Sequence, residues 1–222
     1  MSGLDQEQRQ LLAAYWWRRT EGEHTSWLGF QHVLADLRAE GSPESVLALA
    51  ERAVEDEYQH TQRCRAWASH FGHPGGAITA RGEKPIAFRG ATEVQNRLLR
   101  IALCGMSETI GCFVLRHARP LIEDPELREF NRHNMADEVQ HSRVGWGHLA
   151  TISPAQRDFL RPWVPALLRI LHGSWCESPE LEREDLIPFG YFSGRLLRAA
   201  YEEAVESVIW PGMEHLGIGR SA

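Results

Sequence analysis

The sequence has no excess of basic residues and no long apolar run, and each shortage excludes a class of protein. Its 222 residues include 24 lysines and arginines against 30 aspartates and glutamates, a formal net charge of −6. This balance argues against a nucleic-acid-binding protein, because no basic excess is available to neutralise phosphates. No uncharged apolar run approaches the length of a membrane span, and the first residues show no basic-then-apolar signal pattern. We therefore expect a cytoplasmic protein without a membrane-spanning segment.

Cysteine is also scarce. The four cysteines include no Cys-x-x-Cys pair; they are Cys64, Cys104, Cys112 and Cys176. Their spacing excludes a zinc ribbon, a rubredoxin-type iron centre and a thioredoxin motif. Because disulfides are rare in cytosolic chains, we expect four free thiols, most of them buried.

Helical spacing, in contrast, extends over most of the chain, and no hairpin-forming strand pattern is present. Apolar residues recur every three or four positions in four long segments. These segments are 5–40, 43–71, 92–119 and 125–150. Gly41, Ser42 and Pro43 separate the first two segments, and Pro120 ends the third. The four segments predict two helical hairpins.

The segment 72–92 is rich in glycine and proline and interrupts the helical pattern. A loop of this length usually crosses from one end of a domain to the other, or covers something. We predict a long crossover between the two hairpins, with a cap over a pocket as the alternative. The predicted fold class is all-α: a four-helix bundle over 5–150 with appended helices over 153–215, in a single domain spanning 1–222.

The last third of the chain predicts the appended helices. A fifth helical stretch starts at Ser153 and Pro154 and is kinked at Pro162 and Pro165. A loop is predicted over 173–188. A sixth helix then carries Phe192 to Ile209 and ends before Pro211.

One five-residue phrase occurs twice and carries the candidate chemistry. Residues 56–60 read Asp-Glu-Tyr-Gln-His, and residues 137–141 read Asp-Glu-Val-Gln-His. Each contains Glu-x-x-His, and positions i and i+3 lie on one face of an α-helix, where both side chains can bind one metal ion. Two such helices facing each other would bring two histidines and two carboxylates to one point.

A bundle metal site of this type also takes one glutamate from each of two partner helices. Glu23 lies 34 residues before Glu57, and Glu108 lies 30 residues before Glu138, which fits one helix out, a short turn and one helix back. Glu23 shares the apolar stripe of its helix, whereas Glu21, in a third Glu-x-x-His, falls off that stripe. The six candidate metal ligands are Glu23, Glu57, His60, Glu108, Glu138 and His141.

Four carboxylates and two imidazoles suit iron or manganese better than a thiol-rich zinc site. Carboxylates can bridge two cations, so a dinuclear centre can supply two electrons from its own metals when oxygen binds. Asp56 and Asp137 each lie four residues before a candidate histidine. A ligating histidine usually donates its second N–H to a carboxylate or carbonyl. We therefore expect each aspartate to orient an imidazole, reciprocally, on the opposite helix.

This order of motifs resembles the ferritin-like di-iron carboxylate superfamily. That superfamily includes ribonucleotide reductase small subunits, bacterial multicomponent monooxygenases, rubrerythrins and arylamine N-oxygenases. The resemblance covers residues 10–150, and Gln59 and Gln140 stand where the family usually has Arg. The additional histidine of arylamine N-oxygenases would fall at Asn134, so a third histidine ligand is not implied. The resemblance implies a ferritin-like fold and a centre of two iron ions, with manganese as the alternative.

The leading functional interpretation is a non-haem di-iron oxidoreductase, an enzyme that uses O2 to oxidise or oxygenate a small organic substrate. An external electron donor and a homodimer are compatible with this interpretation. The long crossover and the C-terminal helices favour it, since they cover more than a bare four-helix ferroxidase needs. The alternatives are a ferroxidase or rubrerythrin-like protein that handles iron or peroxide, and a helical interaction module that binds no metal.

Overall fold

The computed structural model describes residues 3–79, 82–177 and 182–219. Over these ranges the chain is mostly helical and has no β-strand, which confirms the predicted all-α class. The four long helices are α1 (Gln6–Ala39), α2 (Glu44–His70), α3 (Glu93–Ala118) and α4 (Pro125–Leu149). Asp5, Thr92 and Asp124 begin α1, α3 and α4, because each side chain accepts hydrogen bonds from free backbone N–H groups of the first turn.

The helices α1 and α2 form one antiparallel hairpin, and α3 and α4 form another. Near one end of the first hairpin the ring centroids of Trp16 and Trp67 are 6.0 Å apart. Near its other end Arg38 donates a hydrogen bond to Glu51. The hairpins join because α1 also packs on α3 and α2 on α4. Buried apolar residues form two clusters, a large one that also includes the C-terminal elements and a smaller one among α1 to α4 around Phe30 and Leu37.

A buried ion pair fixes α3 against α1. The Arg100 guanidinium donates hydrogen bonds of 2.7 and 2.9 Å to the two carboxylate oxygens of Asp36. A third goes to Glu93 and a fourth to the Ile86 carbonyl. This pair lies at the C-terminal end of α1 and the N-terminal end of α3, so the two helices are antiparallel.

The described residues of the segment 72–92, which are 72–79 and 82–92, contact α1 near both of its ends. The His73 ring stacks on Trp17, with centroids 4.4 Å apart, and His32 Nε2 lies 3.0 Å from the Gly82 carbonyl oxygen. These described residues therefore follow the course predicted for a crossover between the two hairpins.

The helices α3 and α4 approach closely at two glycines. A Cβ atom built on Gly145 would lie 2.5 Å from Gly105 Cα and 2.8 Å from the Ile101 carbonyl oxygen, which no side chain can tolerate. Because neither glycine has a side chain, the two backbones come into direct contact, and Glu108 on α3 lies near Glu138 on α4.

The C-terminal elements pack on α3 and differ from the prediction in two places. They are α5 (Pro154–Leu160), α6 (Val164–Cys176), a 3-10 turn (Glu184–Phe189), α7 (Gly194–Ala204), a π-helical turn (Val205–Ile209) and α8 (Trp210–His215). The predicted kink between α5 and α6 is confirmed by a 3-10 turn at Arg161–Trp163. The positions 178–181 of the predicted loop lie outside the described residues.

The predicted loop over 173–188 is wrong at both ends. The helix α6 continues to Cys176, and Glu184–Phe189 is helical. The predicted stop before Pro211 is also wrong, since the π-helical turn continues directly into α8. Pro211 is the second residue of α8 and follows directly on the π-helical turn, in which the Trp210 N–H donates to the Val205 carbonyl oxygen.

Among the described residues, the stretch Glu93–Leu121 alone is long and apolar enough to cross a membrane by length and composition. Most of that stretch is buried inside the bundle, as in a core helix.

Candidate metal centre

The two repeated phrases face each other across the contact between α2 and α4. Glu57 and His60 project from α2, and Glu138 and His141 project from α4; all four side chains are buried. Both imidazole Nδ1 atoms lie 3.1–3.9 Å from carboxylate oxygens of Glu57 and Glu138. Spacing of i and i+3 on each helix therefore brings two Glu-x-x-His pairs to one point.

The structure brings all six candidate residues together in two overlapping groups. Glu57, Glu108, Glu138 and His141 can each place a ligand atom within 4.8 Å of the others. Glu23, Glu57 and His60 form a second group by the same measure. Because Glu57 belongs to both, the arrangement suits two neighbouring cations that share a carboxylate.

Four buried polar atoms of this cluster have no hydrogen-bond partner within the described part of the chain. They are Glu57 Oε2, His60 Nδ1, Glu138 Oε2 and His141 Nδ1. A buried polar group without a partner costs about 1–3 kcal/mol, and native proteins hold few of them. Four at one point, all of them metal-ligand atoms, fit a site that holds cations.

The second nitrogen of each imidazole faces an aspartate of the opposite helix. His60 Nε2 lies 3.2 Å from Asp137 Oδ2, and His141 Nε2 lies 3.4 Å from Asp56 Oδ2. This is the reciprocal arrangement predicted from the sequence. When Nε2–H donates to the aspartate, the Nδ1 lone pair faces the cluster, which is the tautomer that a metal ion requires.

Glu23 has two neighbours that sequence reasoning did not assign to the site. Arg19 Nη2 donates a 2.8 Å hydrogen bond to Glu23 Oε1, and the Cys64 thiol lies 3.7 Å from the same oxygen. The spacing i, i+4 between Arg19 and Glu23 on one helix face was the available signal. Glu21 belongs to neither metal-binding group.

The charges in the cluster raise several pKa values. Burial, with the negative charges of Glu138 and Glu23, raises the pKa of Glu57 to about 7. Burial and the charge of Glu138 also raise the pKa of Glu108 well above its ordinary range. Burial alone would lower the pKa of His60, but its hydrogen bond with Asp137 and the surrounding glutamates raise it to about 9. Without a cation the cluster therefore retains protons, which cations would displace.

The four cysteines are free thiols, as predicted. Cys64 and Cys176 are buried and Cys104 and Cys112 are half-buried, so the expected burial holds for two of the four. Burial raises the pKa of Cys64 and Cys104 well above the ordinary thiol value. These groups stay protonated at neutral pH and act as packing residues beside the carboxylates.

A cavity of about 430 Å³ adjoins the cluster. Glu23, Glu57, Glu108 and Glu138 form one side of it. The C-terminal part of the chain contributes a C-terminal wall, which we define as Trp175 of α6, Phe192 just before α7 and Leu197 of α7. Among the described residues, the cavity lining includes Trp175, Phe192 and Leu197 of the C-terminal part and none of the crossover.

Comparison with models of protein families, with curated proteins and with solved structures found no match to this chain.

Proposed function

We propose that this chain is a di-iron oxidoreductase of the ferritin-like superfamily that uses O2 to oxidise or oxygenate a small organic molecule. Glu23, Glu57 and His60 would hold one iron, and Glu57, Glu108, Glu138 and His141 would hold the other. The four unpartnered ligand atoms support this assignment. The hard carboxylate oxygens favour iron or manganese over softer metals.

Bound iron would supply the redox electrons and the open positions for O2. The chain's own residues hold the geometry: Asp56 and Asp137 orient the two imidazoles through Nε2. The bundle core excludes water on the side of α2 and α4, where Glu57, His60 and His141 are about 1% exposed or less.

The cavity is the observation that favours an organic substrate over iron itself. A volume of about 430 Å³ lies within the usual range for small-molecule sites, and Val114, Leu115 and the C-terminal wall give it an apolar surface. A ferroxidase needs only a path for hydrated iron and has no use for such a surface. The position beside four carboxylates would place a small organic molecule next to both metals.

The deciding experiment is an anaerobic titration of the full chain with ferrous iron, followed by addition of oxygen. We expect two ions per chain, and His60→Ala should weaken both sites because their ligands are shared. On oxygenation, the organic-substrate enzyme should keep two ions and its oligomeric size. Uptake of many more ions into a hollow assembly would establish a storage ferritin instead, and no iron binding would refute the metal centre.

A further inference from the structure

Arg19 occupies a distinctive place in the cavity wall. Its guanidinium carbon lies 5.0 Å from the Trp16 ring centroid and 4.8 Å from that of Phe192, so two rings hold it. Within the described residues its guanidinium donates one hydrogen bond, to Glu23. A guanidinium has five N–H donors, so most of its hydrogen-bonding capacity is not used by that contact.

The net charge of the cavity lining depends on whether the carboxylate cluster holds metal ions. The acidic side chains of the cavity wall are Glu23, Glu57, Glu108 and Glu138. Two divalent cations would balance these four carboxylates. In the metal-free cluster Glu23 balances the positive charge of Arg19. Once two cations neutralise the four glutamates, none of them would balance that charge. A planar, weakly hydrated guanidinium in this setting suits a bidentate carboxylate.

From these contacts we infer that the cavity binds an organic monocarboxylate, with its carboxylate on Arg19 and its hydrocarbon part against Val114, Leu115 and the C-terminal wall. This inference rests on the proposed function, because metal occupancy releases Arg19 from Glu23. Arg19 is directly beside Glu23, so the carboxylate end lies next to the cluster. The carbon to be oxidised is therefore close to the carboxylate along the substrate chain.

The opposing interpretation gives Arg19 a structural role only. It would remain paired with Glu23 after metals bind, and the cavity would then show no preference for an anion. The two interpretations differ in the ratio of affinities for an acid and its neutral amide. That ratio can be measured without turnover.

The test uses full-length protein loaded anaerobically with ferrous iron and kept under nitrogen. Calorimetry would compare 4-phenylbutanoate with 4-phenylbutanamide, and phenylacetate and octanoate with their primary amides. A hydrogen-bonded charge contact is worth about 1.5–3 kcal/mol, so at least one acid should bind roughly 10- to 100-fold more tightly than its amide. Arg19→Gln should abolish the preference, and Arg19→Lys should keep part of it. The control is Arg38→Gln, an exposed residue of the same helix that should leave the preference unchanged.

Iron stoichiometry, measured on the same samples, separates this inference from the proposed function. Two ions per chain with equal affinity for acid and amide, or no binding of any acid, would overturn the carboxylate site and leave the metal centre standing. A preference for the acid that survives in Arg19→Gln would also overturn it, since the anion would then bind the metals or Arg18, the other arginine of the cavity lining. Absence of iron binding would refute both.

Discussion

At the scale of single residues, Asp137 offers the most direct test of how the imidazoles are held. Its carboxylate lies 3.2 Å from His60 Nε2 and is partly exposed, so Asp137→Asn should keep the fold. We expect iron affinity to fall roughly 10- to 100-fold, the usual result of losing a partner of a ligating histidine. A competitive titration with an iron chelator measures this, and Asp158→Asn, at an exposed aspartate of α5, is the control. If iron affinity were unchanged in both Asp137→Asn and Asp56→Asn, the aspartates would have no role in orienting the imidazoles.

Gly111 controls how much room the cavity has beside Glu138. A Cβ atom at Gly111 would lie 3.7 Å from Glu138 Oε2 and 4.0 Å from Trp175 Cη2, which are ordinary contacts. A larger side chain would extend into the cavity. Gly111→Val should therefore keep two irons per chain and weaken binding of 4-phenylbutanoate at least about tenfold, the effect of roughly 1.4 kcal/mol. Gly29→Val, in open space on α1, is the matched control. Normal ligand binding in Gly111→Val would show that the ligand lies elsewhere.

At the scale of secondary-structure elements, the contact between α3 and α4 should tolerate no side chain at Gly145. The atoms that a Cβ would meet are backbone atoms of α3, which cannot rotate away. Gly145→Ala should lower the free energy of unfolding by about 3 kcal/mol, the upper part of the range for overpacking. Urea denaturation measures this change.

The matched control for that experiment is Gly29→Ala. Gly29 is also inside a helix, but its added Cβ would meet nothing within 4 Å. Alanine should raise the stability there by about 0.5–1 kcal/mol through helix propensity. If both variants had the same stability, the close approach of α3 and α4 would be wrong.

The crossover should be the first element to yield to proteolysis. Its residues 82–87 are exposed, and it contributes few buried apolar side chains, Phe88 being one. Segments of this kind open at low free-energy cost. Brief digestion with proteinase K, with fragments identified by mass spectrometry, should give first cuts within residues 72–92. First cuts within residues 45–68 of α2 would contradict the stability of the first hairpin.

At the scale of the whole molecule, iron should stabilise the fold measurably. Cations would replace the protons that the metal-free cluster retains, and their binding to the folded chain adds to the free energy of unfolding. At a free iron concentration 100 times the dissociation constant the gain is about 2.7 kcal/mol per site. For a chain of this size that gain corresponds to roughly 5–11 °C in Tm. Anaerobic calorimetry measures the shift, and Glu57→Gln should reduce it. An unchanged Tm in the wild-type protein would contradict the cluster's role.

The sequence alone located the cluster because local rules determine it. Glu57 and His60 share a helix face by spacing, and short turns restrict which residues of the partner helices can come opposite them. Arg19 shares the helix face of Trp16 and Glu23, but it was not assigned to the site. Its position between Trp16 and Phe192 depends on a contact with a residue distant in the sequence.

The C-terminal part was harder to predict, for a different physical reason. How α6 and α7 dock on α3 depends on contacts between residues distant in the sequence, so nothing local indicated that Trp175 would reach the cavity. The π-helical turn before Pro211 follows no simple spacing, and proline there indicated a helix end that the structure does not have.

The carboxylate cluster and the C-terminal wall lie on separate parts of the chain. Every member of the cluster comes from α1 to α4, whereas Trp175, Phe192 and Leu197 all follow α5. A substitution in the wall therefore alters the shape of the cavity and leaves the cluster's own residues unchanged. Evolution can therefore change which ligands enter the cavity while the acidic and histidine side chains of the cluster stay the same.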